Sequence, residues 1–250
     1  MQAIVDELAI NYLIKGKGKL ILLLHGWGDS HKTFSYLIDR LCLDYQVLTL
    51  DLPGFGGSQA PLGVWNLDDY AKLLHHFLAK LNLEKVYLVI GHSNGGALAI
   101  RAISLQELKP AKLVLIAASG IRDTNKKKRQ ITKAIAKTGK VATFFMPSQT
   151  KQHLRQKLYG TIGSDMLVAP HLVETFKATV KQDVQQDAAK ITIPVLLIFA
   201  DQDPAIPLTD GQRYNQLIKH SNLEIINSNN HFIHHDQAEK VEKLIMEFLQ

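Results

Sequence analysis

At 250 residues, 46% apolar and 21% charged, the chain has the balance of a globular protein with one good core, and two full domains would be cramped. No apolar run is long enough to span a bilayer, and Met1–Ile10 lacks the basic start and unbroken apolar stretch of a signal peptide. A single cysteine, Cys42, excludes an internal disulfide, so cytoplasmic residence is expected and a membrane partner is not. The net charge of +6 is uneven, with fourteen Lys/Arg against five Asp/Glu between Ile121 and Lys190 and a mildly acidic remainder.

In chain order, Leu8–Ile14 reads as a strand and Gly16–Lys19 as a turn. Leu20–Leu24 reads as a strand too continuous in leucine and isoleucine to keep a wet face. It runs into His25-Gly26-Trp27-Gly28. Asp29–Leu43 carries Phe34, Leu37, Ile38 and Leu41 at helical spacing. Val47–Leu50 is a further apolar strand, closed by the turn Asp51-Leu52-Pro53-Gly54-Phe55-Gly56-Gly57-Ser58. This turn has neither the spacing nor the lysine of a phosphate loop, and Asp51 reads as structural. Asn66 is placed to cap a helix running through Leu67, Tyr70, Leu73, Leu74, Phe77, Leu78 and Leu81.

Val86–Ile90 is a buried strand that passes directly into Gly91-His92-Ser93-Asn94-Gly95 and then into the helix-forming run Ala97–Ile103. A strand feeding a helix with no loop between them forces the apex residue, Ser93, into a strained backbone. Glycines two places either side let the chain close that tightly. This G-x-S-x-G turn holds a serine hydroxyl exposed above the sheet.

Leu113–Ala117 follows as a strand, and then the alternation stops. From Ile121 to Ala189 helix-like segments take over, at Arg129–Lys137, Gln149–Tyr159 and His171–Gln186. Strands return at Pro194–Phe199 and Leu223–Ile226, and a last helix spans about Ala238–Leu249. The pattern predicts an α/β fold. Residues 1–120 and 190–250 form a mostly parallel sheet covered by helices on both faces, and residues 121–189 form a helical lid inserted in the same domain.

Ligands of open parallel sheets sit outside the carboxyl ends of the strands. Ser93, the aspartates Asp201 and Asp203, and His231 all fall at such ends. A serine hydroxyl needs a base to take its proton, and a histidine base needs an acid to fix its tautomer and stabilise its cation. The chain order is serine, acid, histidine.

These residues resemble the α/β-hydrolase family in H-G-W-G at 25–28, D-L-P-G-F-G-G-S at 51–58, G-H-S-N-G at 91–95 and A-D-Q-D-P-A-I-P at 200–207. N-H-F-I-H-H at 230–235 resembles the family's histidine loop, with Asn230 where glycine is usual; asparagine tolerates the same left-handed angles. The resemblance implies Ser93 as nucleophile, His231 as general base, and Asp203 rather than Asp201 as the acid, because Asp203 lies four residues before Pro207. The elbow supplies the backbone N–H of Asn94 to an oxyanion hole, and the resemblance adds that of Trp27.

The expected chemistry is cofactor-free hydrolysis of a carboxylic ester or lactone through an acyl-enzyme. Carbon–carbon-bond hydrolases and cofactor-free haloperoxidases of the family share these residues. The H-G-W-G and D-L-P-G-F-G stretches are similar to the branch that cleaves methyl esters of acyl groups on acyl carrier protein, and the basic insertion is where so acidic a carrier would dock. A non-catalytic binding protein on the same fold is the reading from another class. His231, His234 and His235 lack accompanying cysteine or glutamate ligands, so no metal is expected. Lys126–Arg129 reads as a solvated face, and the basic residues come without the aromatic partners of a nucleic-acid surface.

Overall fold

The computed structural model describes residues 1–122 and 169–250. The expected helices at Arg129–Lys137 and Gln149–Tyr159, the basic run Lys126–Arg129, and most of the expected lid lie outside the described residues. Among the described residues one sheet of eight strands is built from β1 (Gln2–Val5), β2 (Leu8–Lys15), β3 (Leu20–Leu24), β4 (Gln46–Leu50), β5 (Val86–His92), β6 (Lys112–Ile116), β7 (Val195–Ala200) and β8 (Ser221–Ile226). The order across it is β1-β2-β4-β3-β5-β6-β7-β8. β1 and β2 join antiparallel, and β3 to β8 are mutually parallel.

β1 has no counterpart in the sequence reading. Its hairpin turns through Asp6 and Glu7, both at positive φ (47° and 65°). Two-residue hairpins need that geometry, but Asp-Glu lacks the Asn-Gly or Asp-Gly signal that usually marks it.

The unbroken apolar strands follow from burial on both faces. In β3, Leu20, Leu22 and Leu24 join one core and Ile21 and Leu23 the other. Helices α2 (Leu67–Lys80) and α3 (Asn94–Ser104) contribute to the first core, and α1 (Ser35–Leu41) with the C-terminal helix (Ala238–Leu249) to the second. The start of α2 is set by a capping box. Asn66 accepts from the N–H groups of Asp68 and Asp69, and the Asp69 carboxylate accepts from the Asn66 N–H, an arrangement worth about 1 kcal/mol.

Two expected helices are shorter than their patterns. Asp29–Leu43 contains a 3-10 turn at His31–Phe34 followed by α1. His171–Gln186 breaks into a 3-10 turn (Pro170–Leu172), α4 (Val173–Thr179) and α5 (Gln185–Ala188). The break falls where Gln182 is drawn to the start of α2, accepting from the Leu67 N–H at 2.6 Å and donating to Asp68 at 2.9 Å. Arg101 of α3 then spans Asp68 and Asp187, so the segment is tied to the core by tertiary bonds that no local pattern announces.

The strand order positions the site. From β3 the chain steps outward to β4 on one side and returns to place β5 on the other, so the order reverses between β3 and β5. A crevice opens at such a reversal. Leu24 lies beside Gly91 in register, so the turns after these two strands are immediate neighbours. No described helix is long and apolar enough to cross a membrane.

Candidate active site

β5 ends at His92 and α3 begins at Asn94, which leaves Ser93 alone to reverse the chain. Its backbone sits at φ 50° and ψ −118°, a conformation that costs a non-glycine residue about 1–3 kcal/mol. Hydrogen bonds hold it there. The Ser93 N–H donates to Ile116 O, and its carbonyl accepts from the N–H groups of Gly96 and Ser119, each at 3.0 Å. The flanking glycines serve by lacking a side chain rather than by positive φ. A Cβ on Gly95 would stand 2.2 Å from the Leu24 carbonyl oxygen, and one on Gly91 would stand 2.6 Å from that of Gly95.

The turn after β3 packs on this apex. A Cβ on Gly26 would approach Ser93 Cβ to 3.2 Å and His92 Nδ1 to 3.1 Å. The backbone N–H groups of Trp27 and Asn94, on the two facing turns, make no hydrogen bond among the described residues. His25 fixes the turn from below. It is fully buried, its Nε2 accepts from the Leu52 N–H at 2.9 Å, and its Nδ1 therefore carries the hydrogen and faces the Gly26 carbonyl at 2.7 Å. Burial lowers its pKa and keeps it neutral. The Trp27 indole packs edge-on against Phe55 at 4.8 Å and against Phe176 of α4 at 5.0 Å. Its Nε1 is buried with no hydrogen-bond partner among the described residues.

The expected acid and base follow β7 and β8, whose ends are in register at Ala200 and Ile226. Asp203 follows the first and His231 the second. His231 Nδ1 lies 2.7 Å from Asp203 Oδ2. Asp203 Oδ1 accepts from the N–H groups of Ala205 and Ile206 at 2.7 and 2.9 Å, which aims the other oxygen at the imidazole. A carboxylate only accepts, so Nδ1 bears the hydrogen and Nε2 keeps its lone pair. Asp201 is spent elsewhere, its Oδ1 accepting from the Ser228 N–H at 2.9 Å. Among the described residues no hydrogen bond joins the Ser93 hydroxyl to His231.

Nearby carboxylate chemistry divides cleanly. Asp51 accepts from the His31 N–H (2.7 Å), the Gly57 N–H (2.8 Å) and Asn11 Nδ2 (2.8 Å), with His31 Nδ1 at 2.7 Å. Burial pushes its pKa up, but these donors outweigh burial and hold it below the ordinary carboxylate value. His234 Nε2 and His235 Nε2 share the Thr33 hydroxyl at 2.9 and 3.0 Å. No cluster of three metal-ligating side chains occurs among the described residues.

From the sequence, the histidines other than His231, His234 and His235, with His25 and His92 among them, read as surface or packing residues. Both are fully or almost fully buried, at 0% and 1% exposure, beneath the two turns. The available signal was their place, each a polar residue at the end of a buried strand and next to a glycine turn. Burial and the adjacent His234 and His231 depress the His92 pKa well below the ordinary histidine value. Burial, then His235 and His231, pushes that of His234 down to about 3.

A family model described as "Serine aminopeptidase, S33" matches residues 16–238. The AB hydrolase superfamily protein YisY of Bacillus subtilis is 27% identical over 93% of this chain and 92% of its own length. The 2-hydroxy-6-oxononadienedioate/2-hydroxy-6-oxononatrienedioate hydrolase 1 of Pseudomonas putida is 24% identical over 97% of this chain and 92% of its own. Among solved structures, the esterase EaEST of Exiguobacterium antarcticum superposes with a TM-score of 0.77 at 20% identity, covering 99% of this chain and 98% of that one, a likeness of fold.

Proposed function

The chain belongs to the α/β-hydrolase family described as serine aminopeptidase S33, and on that premise we propose that it is a serine hydrolase that cleaves a carboxylic ester or lactone through a covalent acyl-enzyme. The observation that carries the reading is the 2.7 Å His231–Asp203 contact, with the His231 carbonyl 3.2 Å from the ring of His92, the residue before a serine held at a strained apex. His231 Nε2 takes the Ser93 proton as Oγ attacks the substrate carbonyl, and the oxyanion forms against the N–H groups of Trp27 and Asn94. His231 then protonates the leaving alcohol, and afterwards activates the water that releases the acid. Asp203 holds the tautomer and stabilises the imidazolium through both steps. None of these steps calls on a metal or a cofactor.

Residues 121–189 are the proposed lid over this edge. Support comes from their described members, with Phe176 packed at a tilt on Trp27 and Leu172 packed over Gly54. The same stretch carries the chain's basic surplus, which favours an acyl group borne on an acidic carrier. A carbon–carbon-bond substrate, of the kind named for the Pseudomonas relative, would use the same three side chains and is the second reading.

The deciding experiment is a panel of p-nitrophenyl esters of rising chain length, with amino-acid p-nitroanilides and a vinylogous diketone as alternatives, run on wild type and Ser93→Ala. Ester turnover that rises to an optimal chain length and vanishes in Ser93→Ala is expected. Turnover confined to the diketone or the anilides would overturn the ester reading. Carrier-bound and free esters compared across a salt series test the carrier. Only the carrier-bound substrate should slow as salt rises.

A further inference from the structure

His92 touches each of the three parts of the site without belonging to any of them. Covalently it precedes Ser93. Its Nε2 lies 3.2 Å from the backbone carbonyl oxygen of His231, a contact that spans 139 residues of sequence. Its other nitrogen, Nδ1, lies against Gly26 in the turn that presents the Trp27 amide. A carbonyl oxygen can only accept, so Nε2 carries the imidazole hydrogen and Nδ1 is the bare nitrogen, buried with no partner among the described residues. The ring is also clamped. His231 stands 4.8 Å away centroid to centroid, His234 4.3 Å and Phe232 5.3 Å.

The base loop is held to its surroundings on both sides of His231, by Ser228 on Asp201 and by His234 and His235 on Thr33, but none of these bonds reaches the elbow. The Asp203 contact sets the rotation of the His231 ring, and no hydrogen bond from Ser93 Oγ draws the ring inward. Phe232, the next residue, is 40% exposed, and its N–H is bonded locally to Asn230. The bond between His92 and the His231 carbonyl is therefore the polar tie between the elbow and the loop that carries the base.

We propose that His92 is a positioning residue: by donating from Nε2 to the His231 carbonyl it sets the reach between the His231 imidazole and Ser93. This rests on the reading of Ser93 and His231 as nucleophile and base. It explains why a polar ring occupies a buried place where an apolar one would fill the space. It also fits the orphaned nitrogen being Nδ1: the space beside it is taken by Gly26, and no donor among the described residues reaches it.

Two substitutions of similar shape separate the bond from the packing. Glutamine can set its amide N–H where Nε2 stands; methionine fills the volume without a donor. With the best ester of the panel, His92→Met should lower kcat about ten- to hundredfold with KM within about threefold, as expected when reacting groups drift by a fraction of an ångström. His92→Gln should recover most of that loss. Equal loss in both variants, or no loss in methionine, overturns the proposal.

A measurement on the wild-type protein stands independently of whether the methionine variant folds. Nitrogen-15 correlation spectra should show the imidazole signal that disappears in His92→Gln as the Nε2–H tautomer, with its hydrogen slow to exchange. A Nδ1–H tautomer overturns the proposal even in a fully active enzyme. If wild type turns over no ester faster than Ser93→Ala while the Nε2–H signal is present, the reading of the site fails, and the positioning role falls with it.

Discussion

Two histidine–aspartate pairs lie along the same sheet edge, and their contacts are the same length. His231 Nδ1 stands 2.7 Å from Asp203, and His31 Nδ1 stands 2.7 Å from Asp51. Both carboxylates are nearly inaccessible, at 1% and 2% exposure. Length and burial therefore do not distinguish the pair proposed as catalytic from the structural one. Their other partners do. Asp51 gives both oxygens to donors on three separate segments, at Asn11, His31 and Gly57, and so binds the loops after β3 and β4 to β2. Asp203 gives one oxygen to its own turn and reserves the other for an imidazole whose far nitrogen makes no hydrogen bond among the described residues and whose ring stands 4.8 Å from that of His92, the residue before the strained serine. A saturated carboxylate ties loops together, whereas a half-committed one aims a base.

Substitution should break the two pairs in opposite ways. Asp203→Asn keeps an oxygen for the Ala205 and Ile206 amides but turns an NH2 towards His231 and enforces the wrong tautomer. The kcat of ester hydrolysis should fall about 10³- to 10⁴-fold, with little change in the melting midpoint. Asp51→Ala should do the reverse. It removes the buried acceptor shared by the part-buried donors of His31, Gly57 and Asn11, and chemical denaturation should show a loss of about 1–3 kcal/mol, with kcat per folded molecule far less affected than in Asp203→Asn.

The histidines without carboxylate partners sharpen the contrast through pH. His25, His92 and His234 have pKa values lowered by burial, that of His234 to about 3. The unfolded chain takes up protons at these side chains as pH falls below about 6.5, and the folded chain does not, so the unfolded state gains. Stability should be complete above neutral pH and decline from about pH 6.5 downward, each such histidine contributing up to about 1.4 kcal/mol per pH unit. Denaturant midpoints measured from pH 7.5 to 4.5 test this, and a flat profile would contradict it. The smallest effect is expected for His31→Asn, whose amide can replace Nδ1–H on Asp51, with a loss below about 1 kcal/mol in the same denaturation assay.

The sequence made the site's skeleton legible because strands buried on both faces are unmistakable and because chemistry collects where they end. Ser93, Asp203 and His231 could be placed at neighbouring carboxyl ends from strand pattern and motif order, and Asn66 could be identified as a helix cap from its local surroundings. What stayed hidden depends on distant partners. The His171–Gln186 periodicity gives no hint that Gln182 is taken by α2. The Asp6–Glu7 turn is dictated by the pairing of β1 with β2 rather than by turn chemistry. His92 looked like the variable letter of a motif, since its partner, the His231 carbonyl, is a backbone atom on a strand's far neighbour.

The central claim is that Ser93 is a nucleophile activated by His231 and Asp203. Its most direct test is treatment of the folded wild type with an organophosphonate, followed by mass spectrometry of the intact and digested protein. The expected result is a single adduct on the peptide containing Ser93, absent in Ser93→Ala and formed much more slowly in Asp203→Asn. A folded wild type that takes up no label, or an adduct that persists in Ser93→Ala, would contradict it.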